Sequence, residues 1–281
     1  MITGLDHIVL LTHDIGSATA TYEKLLAQSV AWRTRGGGVE TAIFTLSNMS
    51  LEIMAPSGDG ETGTRVRARL DEQGAGLASL CFRVAGIDKF QRRLKRLGLK
   101  PEDVAASGST NAIDGASLSW TRTRTAVDAT HGARLFYLEA AAARPASWTI
   151  ADAPITGLDH VVISTGAPER AAALYGARLG LDMSLDLSMP DWGARLMFFR
   201  CGDLIVEIVH RLNEANADGL DKLWGLSWRV ADIDATQARL AVAGLDVSEV
   251  RNGRKPGTRV FTVRNGTLDV PTLVVQPAPR T

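Results

Sequence analysis

The sequence predicts an α+β protein made of two tandem copies of one domain, and three observations carry that prediction. The run Gly4-Leu5-Asp6-His7-Ile8-Val9-Leu10-Leu11-Thr12 returns as Gly157-Leu158-Asp159-His160-Val161-Val162-Ile163-Ser164-Thr165, 153 residues later. Phe82-Arg83-Val84-Ala85-Gly86-Ile87-Asp88 returns 146 residues later as Trp228-Arg229-Val230-Ala231-Asp232-Ile233-Asp234. The second match continues through Gln91, Leu94 and Gly98-Leu99 against Gln237, Leu240 and Gly244-Leu245. Two matches in the same order mean that the halves share their elements and differ in their loops. The length agrees, since 281 residues are long for one core and comfortable for two of roughly 130 each.

Each half reads as two β-α-β-β-β units. Residues 5–12 are a leucine-rich, β-branched strand. Ile15, Ala18, Tyr22, Leu25 and Leu26 then fall at helical spacing over 15–27, with Asp14 or Ser17 as N-cap. Ala42–Leu46 and Leu51–Met54 flank the turn residues Ser47-Asn48-Met49-Ser50 and predict a hairpin. The second unit opens with strand 78–84. Asp88 caps the next helix, which carries Phe90, Leu94 and Leu97 and ends at Gly98. Strands near 116–123 and 134–139 close the half. The second half repeats this with strand 158–164, helix 168–179 led by Pro168, hairpin 194–209, strand 224–230, helix 234–243, and strands near 258–264 and 270–276. The alanine-rich stretch around Arg144-Pro145 lacks large apolar residues, so the expected organisation is domain 1–140, linker 141–154 and domain 155–281.

Composition narrows the function classes. Thirty-one basic residues balance thirty-one acidic ones, which gives no electrostatic footprint for nucleic acid or an anionic membrane. No apolar run approaches the roughly 20 residues that span a bilayer, and the start of the chain does not read as a cleavable leader. Cys81 and Cys201 lie in apolar strand-like runs and read as small core residues in a reducing cytoplasm.

Gly-Leu-Asp-His-(Ile/Val)-Val at a strand start, the β-α-β-β-β order and Phe/Trp-Arg-Val-Ala-x-Ile-Asp before an amphipathic helix resemble the vicinal oxygen chelate superfamily. That group holds glyoxalase I, bleomycin- and fosfomycin-resistance proteins, methylmalonyl-CoA epimerase and extradiol dioxygenases. The resemblance covers about 5–140 and 156–277. It implies two glyoxalase-like domains, each of paired βαβββ units forming a cupped mixed sheet around a metal, with helices outside. It places metal ligands on His7, Glu52 and Glu139, with Ser79 where the family most often has His. In the second half the same positions fall on His160, Glu207, Gly225 and Gln276, a weaker set. Imidazole with two carboxylates suits Zn, Fe, Mn, Ni or Co. A carboxylate inside an apolar strand needs a partner or a metal.

The leading expectation is a glyoxalase-like lyase or isomerase that acts on a small oxygenated, carboxylated metabolite. The metal would stabilise an enediolate, with Glu139 or Glu52 as general base. Ser79, Tyr137 and Arg83 are candidate substrate contacts. Arg83 and Arg229 share the face of Ser79 and Gly225, where each could hold an anion bidentately or pair with a carboxylate as a strand-end arginine. An extradiol dioxygenase ranks lower, because its facial triad wants a second histidine. The non-enzyme alternative is a metal-free binding or resistance protein, with Trp192, Trp224 and Trp228 lining its cleft or filling the core. His13, His131 and His210 have surface or loop roles by default. Gly36-Gly37-Gly38 reads as a flexible loop, since no phosphate-cradle pattern follows it. Residues 251–258 read as a basic, solvated turn. The partner is a small molecule. The expected assembly is a monomer with internal pseudo-dimer pairing, or a weak homodimer.

Overall fold

The structure is a computed structural model that describes residues 1–213 and 219–279; the last two residues of the expected second domain lie outside these. The first eight-stranded sheet contains β1 (Ile2–Leu11), β2 (Trp32–Gly36), β3 (Val39–Thr45), β4 (Ser50–Pro56), β5 (Gly76–Val84), β6 (Ala105–Thr110), β7 (Ser117–Arg124) and β8 (Leu135–Ala140). Its order is β2-β3-β4-β1-β5-β8-β7-β6. The second contains β9 (Ile155–Ser164), β10 (Asp182–Met189), β11 (Ala194–Cys201), β12 (Leu204–Arg211), β13 (Lys222–Val230), β14 (Arg251–Asn252), β15 (Arg259–Val263) and β16 (Thr272–Gln276). Its order, β10-β11-β12-β9-β13-β16-β15-β14, is the same path through the fold. In each sheet the first strands of the two units pair antiparallel at the centre, β1 with β5 and β9 with β13. The tandem α+β architecture with cupped sheets is therefore present in both halves.

Strand alternation assigns the two faces. In the first half Leu5, Ile8, Leu10, Phe44, Leu51, Ile53, Leu80 and Phe82 point away from the cup and are buried. Helices α1 (Ile15–Leu26) and α3 (Ile87–Arg96) cover that back. Asp14 caps α1, its Oδ1 accepting the Ser17 N–H at 3.0 Å, and Ala18, Tyr22, Leu25 and Leu26 form the buried stripe. In the second half the corresponding helices are α4 (Pro168–Ala172), which runs on as a π-helical turn over Ala173–Arg178, and α5 (Ile233–Val242). The backs of both sheets contribute to one continuous core, which includes Val161, Ile163, Phe199 and Trp228. Burying each such large side chain stabilises by roughly 1.5–3 kcal/mol.

Four edge strands (β2, β6, β10, β14) and one helix, α2 (Glu61–Gln73), extend the expected elements. Helix α2 caps one end of the first cup, with Val66 and Leu70 packed against Val9, Leu11 and Met54. The three glycines at 36–38 are the end of β2 and a tight turn into β3. Gly37 and Gly38 have φ of 60° and 82°, and a Cβ on Gly63 would meet the Gly38 carbonyl at 2.2 Å. The turn is thus the docking surface for α2. Asp88 lies in the first turn of α3, and the cap position is Gly86 instead.

The halves dock reciprocally. The β3–β4 turn presents Asn48, whose amide brackets Leu158: its Oδ1 accepts the Leu158 N–H at 3.0 Å and its Nδ2 donates to the Leu158 carbonyl at 2.7 Å. The equivalent β11–β12 turn brings Gly202 against Gly4 and Thr3. This close approach explains one glycine of the repeated motif. A Cβ on Gly157 would stand 2.7 Å from Asn48 Oδ1, whereas one on Gly4 meets nothing within 4 Å. Gly157→Ala is expected to destabilise the chain by about 1–3 kcal/mol through overpacking, and Gly4→Ala to stay within about 0.5 kcal/mol of the parent. Urea denaturation of both variants checks the difference.

Candidate functional site

The floor of the first cup is set by one irregularity in β1. Pairing with β5 matches Leu5 to Phe82 and His7 to Cys81, so Asp6 is an extra residue, a β-bulge. Its carboxylate is displaced from the alternation and accepts the neighbouring His7 Nδ1–H at 2.8 Å. The bond leaves Nε2 facing the cup, 3.7 Å from Glu52 Oε2 on β4. The second half builds the same unit. Pairing skips Asp159, which reaches His160 Nδ1 at 3.0 Å, and His160 Nε2 lies 3.2 Å from Glu207 Oε2.

Asp6 is buried and heavily compensated. Arg144, from the stretch after β8, donates to it at 2.5 Å, and Arg83 approaches at 3.4 Å. Burial alone would raise the Asp6 pKa. The His7 hydrogen bond and the charges of His7 and Arg144 outweigh burial and hold it well below the usual carboxylate range. For His7, burial favours the neutral ring, but the Cys81 sulfur and the Asp6 hydrogen bond raise its pKa to about 10. In the second cup burial pushes Glu207 upward, against the opposing charges of His160 and Arg254.

The structure brings together His7, Glu52 and Ser79, all lining a cavity of about 710 Å³. It does not bring Glu139 to them. Leu138 and Phe136 face that cavity from β8, while Tyr137 and Glu139 project to the helix side. Glu139 accepts the Gly86 and Ile87 N–H groups at 2.8 and 3.0 Å, capping α3 and lowering its own pKa. Gln276 does the same for α5, accepting the Ile233 N–H at 2.9 Å. Tyr137 is fully buried, its ring 5.0 Å from that of Phe90. Arg83 and Arg229 are paired strand-end arginines, Arg229 with Asp159 and Asp203. Trp228 is core, and Trp192 and Trp224 are exposed, Trp192 stacking with the Arg254 guanidinium 4.0 Å from its ring centre. His210 Nδ1 bonds the Thr165 carbonyl, and the carbonyl of His131 accepts the Asp221 N–H.

The donor set tests the metal that the resemblance implies. A metal site with an open position wants three protein ligands. Here two, His7 and Glu52, meet in the floor, beside the Cys81 thiol, a neutral hydroxyl (Ser79) and two apolar side chains (Phe136, Leu138). Among the described residues no three His, Cys, Asp or Glu side chains form a metal-binding group. The first cup does not fit a three-ligand metal site. No described helix is long and apolar enough to cross a membrane.

Sequence reasoning missed Asp6, although it quoted the residue within the repeated motif. The signal was an acid directly before the strand histidine in both copies. It also missed Arg144, inside a stretch read only as a linker. Replacing Asp6 by Asn leaves Arg144 and a protonated His7 without their anion in a buried place, a loss of about 3 kcal/mol. The pH dependence follows from the depressed Asp6 pKa. The stabilisation is present above the unfolded value of about 3.9 and is lost as pH falls below it. Thermal midpoints measured from pH 7 to pH 2.5 are expected to fall more steeply for the parent than for Asp6→Asn.

A family model described as a glyoxalase-like domain matches residues 5–157, and one described as the glyoxalase/bleomycin resistance protein/dioxygenase superfamily matches 159–262. No curated protein matches the sequence. Among solved structures, a mutant of 4-hydroxymandelate synthase from Streptomyces coelicolor superposes with a TM-score of 0.71 at 13% identity, covering 100% of this chain and 95% of that one. A halotolerant catechol dioxygenase gives 0.66 at 12% identity, covering 99% and 87%. An Mn(II)-bound glyoxalase from Novosphingobium aromaticivorans gives 0.66 at 13% identity, covering 98% and 82%. At these identities the structures attest the fold alone. The chain belongs to the vicinal oxygen chelate superfamily, the glyoxalase, bleomycin-resistance and dioxygenase group, as a member with two domains in tandem.

Proposed function

We propose that the protein is an isomerase or lyase that processes a small oxygenated, carboxylated metabolite in its first cup through an enediolate-type intermediate. The observation that carries this is the His7–Glu52 pair, held in the floor of the cavity by the Asp6 hydrogen bond. Glu52 takes a proton from the carbon beside a substrate carbonyl. The C–H bond breaks, its electron pair moves onto the carbonyl oxygen, and the His7 imidazolium stabilises the resulting oxyanion. Where the deprotonated carbon bears a hydroxyl, the hydroxyl proton passes to the oxyanion, the proton on Glu52 returns to the former carbonyl carbon, and the carbonyl re-forms at the hydroxyl-bearing carbon, which completes an isomerisation. Loss of a leaving group, with its bonding pair, from the carbon on the other side of the deprotonated one re-forms the carbonyl and completes an elimination.

The positive charge that such an intermediate needs comes from this chain. Arg65, Arg69, Arg122, Arg124, Arg134 and Arg144 line the cavity, with the carboxylates Glu52, Glu102 and Asp103, while Glu61 and Asp6 pair with Arg65 and Arg144. This surplus also supports a carboxylated substrate. A second reading applies to the second cup, which we assign to ligand binding without catalysis. Its His160 and Glu207 are closed on one another, and Leu185, Leu187 and Trp192 stay exposed.

We take 1–140 and 155–281 as the two domains, with 141–154 connecting them. No strand or helix lies between Ala140 and Ile155, and only the Gln28–Thr149 bridge ties that stretch into a sheet pattern. The reciprocal docking of the halves supports a monomer that makes its pairing internally.

Elemental analysis of the purified full chain is the direct test. Less than 0.1 equivalent of transition metal is expected, unchanged in His7→Ala; one equivalent that disappears in His7→Ala would overturn the metal-free reading. For the chemistry, a panel of small 2-oxo and 2-hydroxy acids in D2O is followed by proton NMR. Exchange of the hydrogen beside the carbonyl is expected to slow by roughly 10²–10⁴-fold in Glu52→Gln. Equal exchange in parent and variant would sink the role of Glu52.

A further inference from the structure

The six arginines of the first cup are not equivalent. Arg65 bonds Glu61, Arg124 bonds Glu102, and Arg144 bonds Asp6. Arg69, Arg122 and Arg134 have no ion pair or side-chain hydrogen bond among the described residues. Arg69 sits on α2 between Val66 and Leu70, the two residues that plug the end of the cup. Arg134 immediately precedes β8, where its carbonyl accepts the Leu80 N–H at 3.1 Å. Both are partly buried and line the same cavity, Arg69 from α2 and Arg134 from just before β8.

We propose that the α2 end of the first cup is an oxyanion site, in which Arg69 and Arg134 together take the terminal carboxylate or phosphate of the ligand. An exposed arginine reaches a carboxylate at little cost, and much of this surface does so. Two guanidinium groups left unpaired in a partly desolvated mouth are a standing destabilisation, which a bound anion removes. Burial and the charge of Arg134 both lower the Arg69 pKa; burial and the charges of Arg124 and Arg65 do the same for Arg134. Glu72 opposes both shifts from outside ion-pair range. A guanidinium fork also suits an oxyanion in the bidentate manner that an ammonium cannot match.

The position sets the shape of the ligand. His7 and Leu11 are four residues apart on β1, roughly 13 Å along a strand. Leu11 touches the α2 plug, and His7 lies in the floor. A molecule that reaches from the reacting pair to the arginines is therefore short and elongated, with carbonyl or hydroxyl oxygens at one end and an anionic group at the other. This deepens the reading of the first cup as a small-molecule site, and its test is separable from the chemistry at Glu52.

Inorganic phosphate and succinate serve as probes, titrated calorimetrically into the full chain at 50 and 300 mM NaCl. Saturable binding of at least one probe is expected, weakening with salt, and whichever binds more tightly identifies the anion class. Arg69→Gln/Arg134→Gln is expected to weaken binding at least tenfold, and its thermal midpoint without probe to match or exceed that of the parent. Arg69→Lys, which keeps the charge and loses the fork, is expected to fall between and covers the case of a double variant that does not fold. His7→Gln/Glu52→Gln should bind the probe like the parent. No saturable binding by the parent, or undiminished binding by both arginine variants, would overturn the proposal.

Discussion

The hydrogen bond from His7 to Asp6 is the interaction on which the first cup is organised. Asp6 can make it only because β1 carries an extra residue there, which takes the carboxylate out of the strict alternation and sets it beside the ring. A regular strand would send the two side chains to opposite faces. With Nδ1 held, the other nitrogen has one direction left, into the cup and toward Glu52. A buried carboxylate is costly unless its lone pairs are used, and Arg144 and Arg83 use the rest. The segment after β8 is thereby tied to the site by charge, and a connection between domains becomes part of the cup.

The same bulge and the same Asp-His-Glu set occur in both halves, yet the cups differ in how their sheets end. In the first half the edge strands β2 and β6 meet. Trp32 Nε1 donates to Ser109 Oγ at 3.0 Å, and the buried Asn111 accepts the Arg33 N–H at 2.9 Å and donates to the Ala31 carbonyl. The sheet closes nearly to a barrel, and α2 stops one end. In the second half β14 is two residues long, no helix is assigned between β12 and β13 among the described residues, and Leu185 and Leu187 on β10 remain exposed. Closure excludes water and strengthens every electrostatic interaction inside. The asymmetry of function proposed for the halves follows from closure more than from the floor residues, which are nearly the same.

The fold was legible because the repeat preserved its strongest local signals: the Gly-Leu-Asp-His strand, the helix periodicities and the Gly98 and Gly244 stops. Edge strands such as Ala105–Thr110 carry small polar residues and no alternation, so nothing marked them. Helix α2 is rich in charge, with Val66 and Leu70 as its large apolar contacts, and a stripe that thin reads as loop. The site was legible in part. His7, Glu52 and Ser79 share a face through simple alternation. Glu139 failed at the same rule: its register on β8 turns it to the helix side, where it answers the unpaired N–H groups of α3. Resemblance supplied a ligand position, and local geometry gave the carboxylate other work. Asp6 and Arg144 were not legible, because a bulge and a contact between residues 138 positions apart have no local signature.

A cationic cup and a divalent metal are two answers to one electrostatic problem, the negative charge that grows on substrate oxygen during proton abstraction. They are also mutually unfavourable. Two like unit charges about 7 Å apart, at an effective dielectric of about 20, repel by roughly 2 kcal/mol, and a dication doubles this for each neighbour. A site that holds three arginines without ion pairs among the described residues, Arg69, Arg122 and Arg134, and raises its floor histidine toward the protonated form, has the character of the first answer. The absence of a third donor on β8 is then consistent with the surrounding charge: a dication placed there would face uncompensated arginines, whereas an anionic substrate relieves them. On this view the superfamily scaffold has kept the geometry that directs an imidazole nitrogen and a carboxylate at the same small molecule. On the reading proposed for the first cup, the positive charge comes from the protein's own side chains.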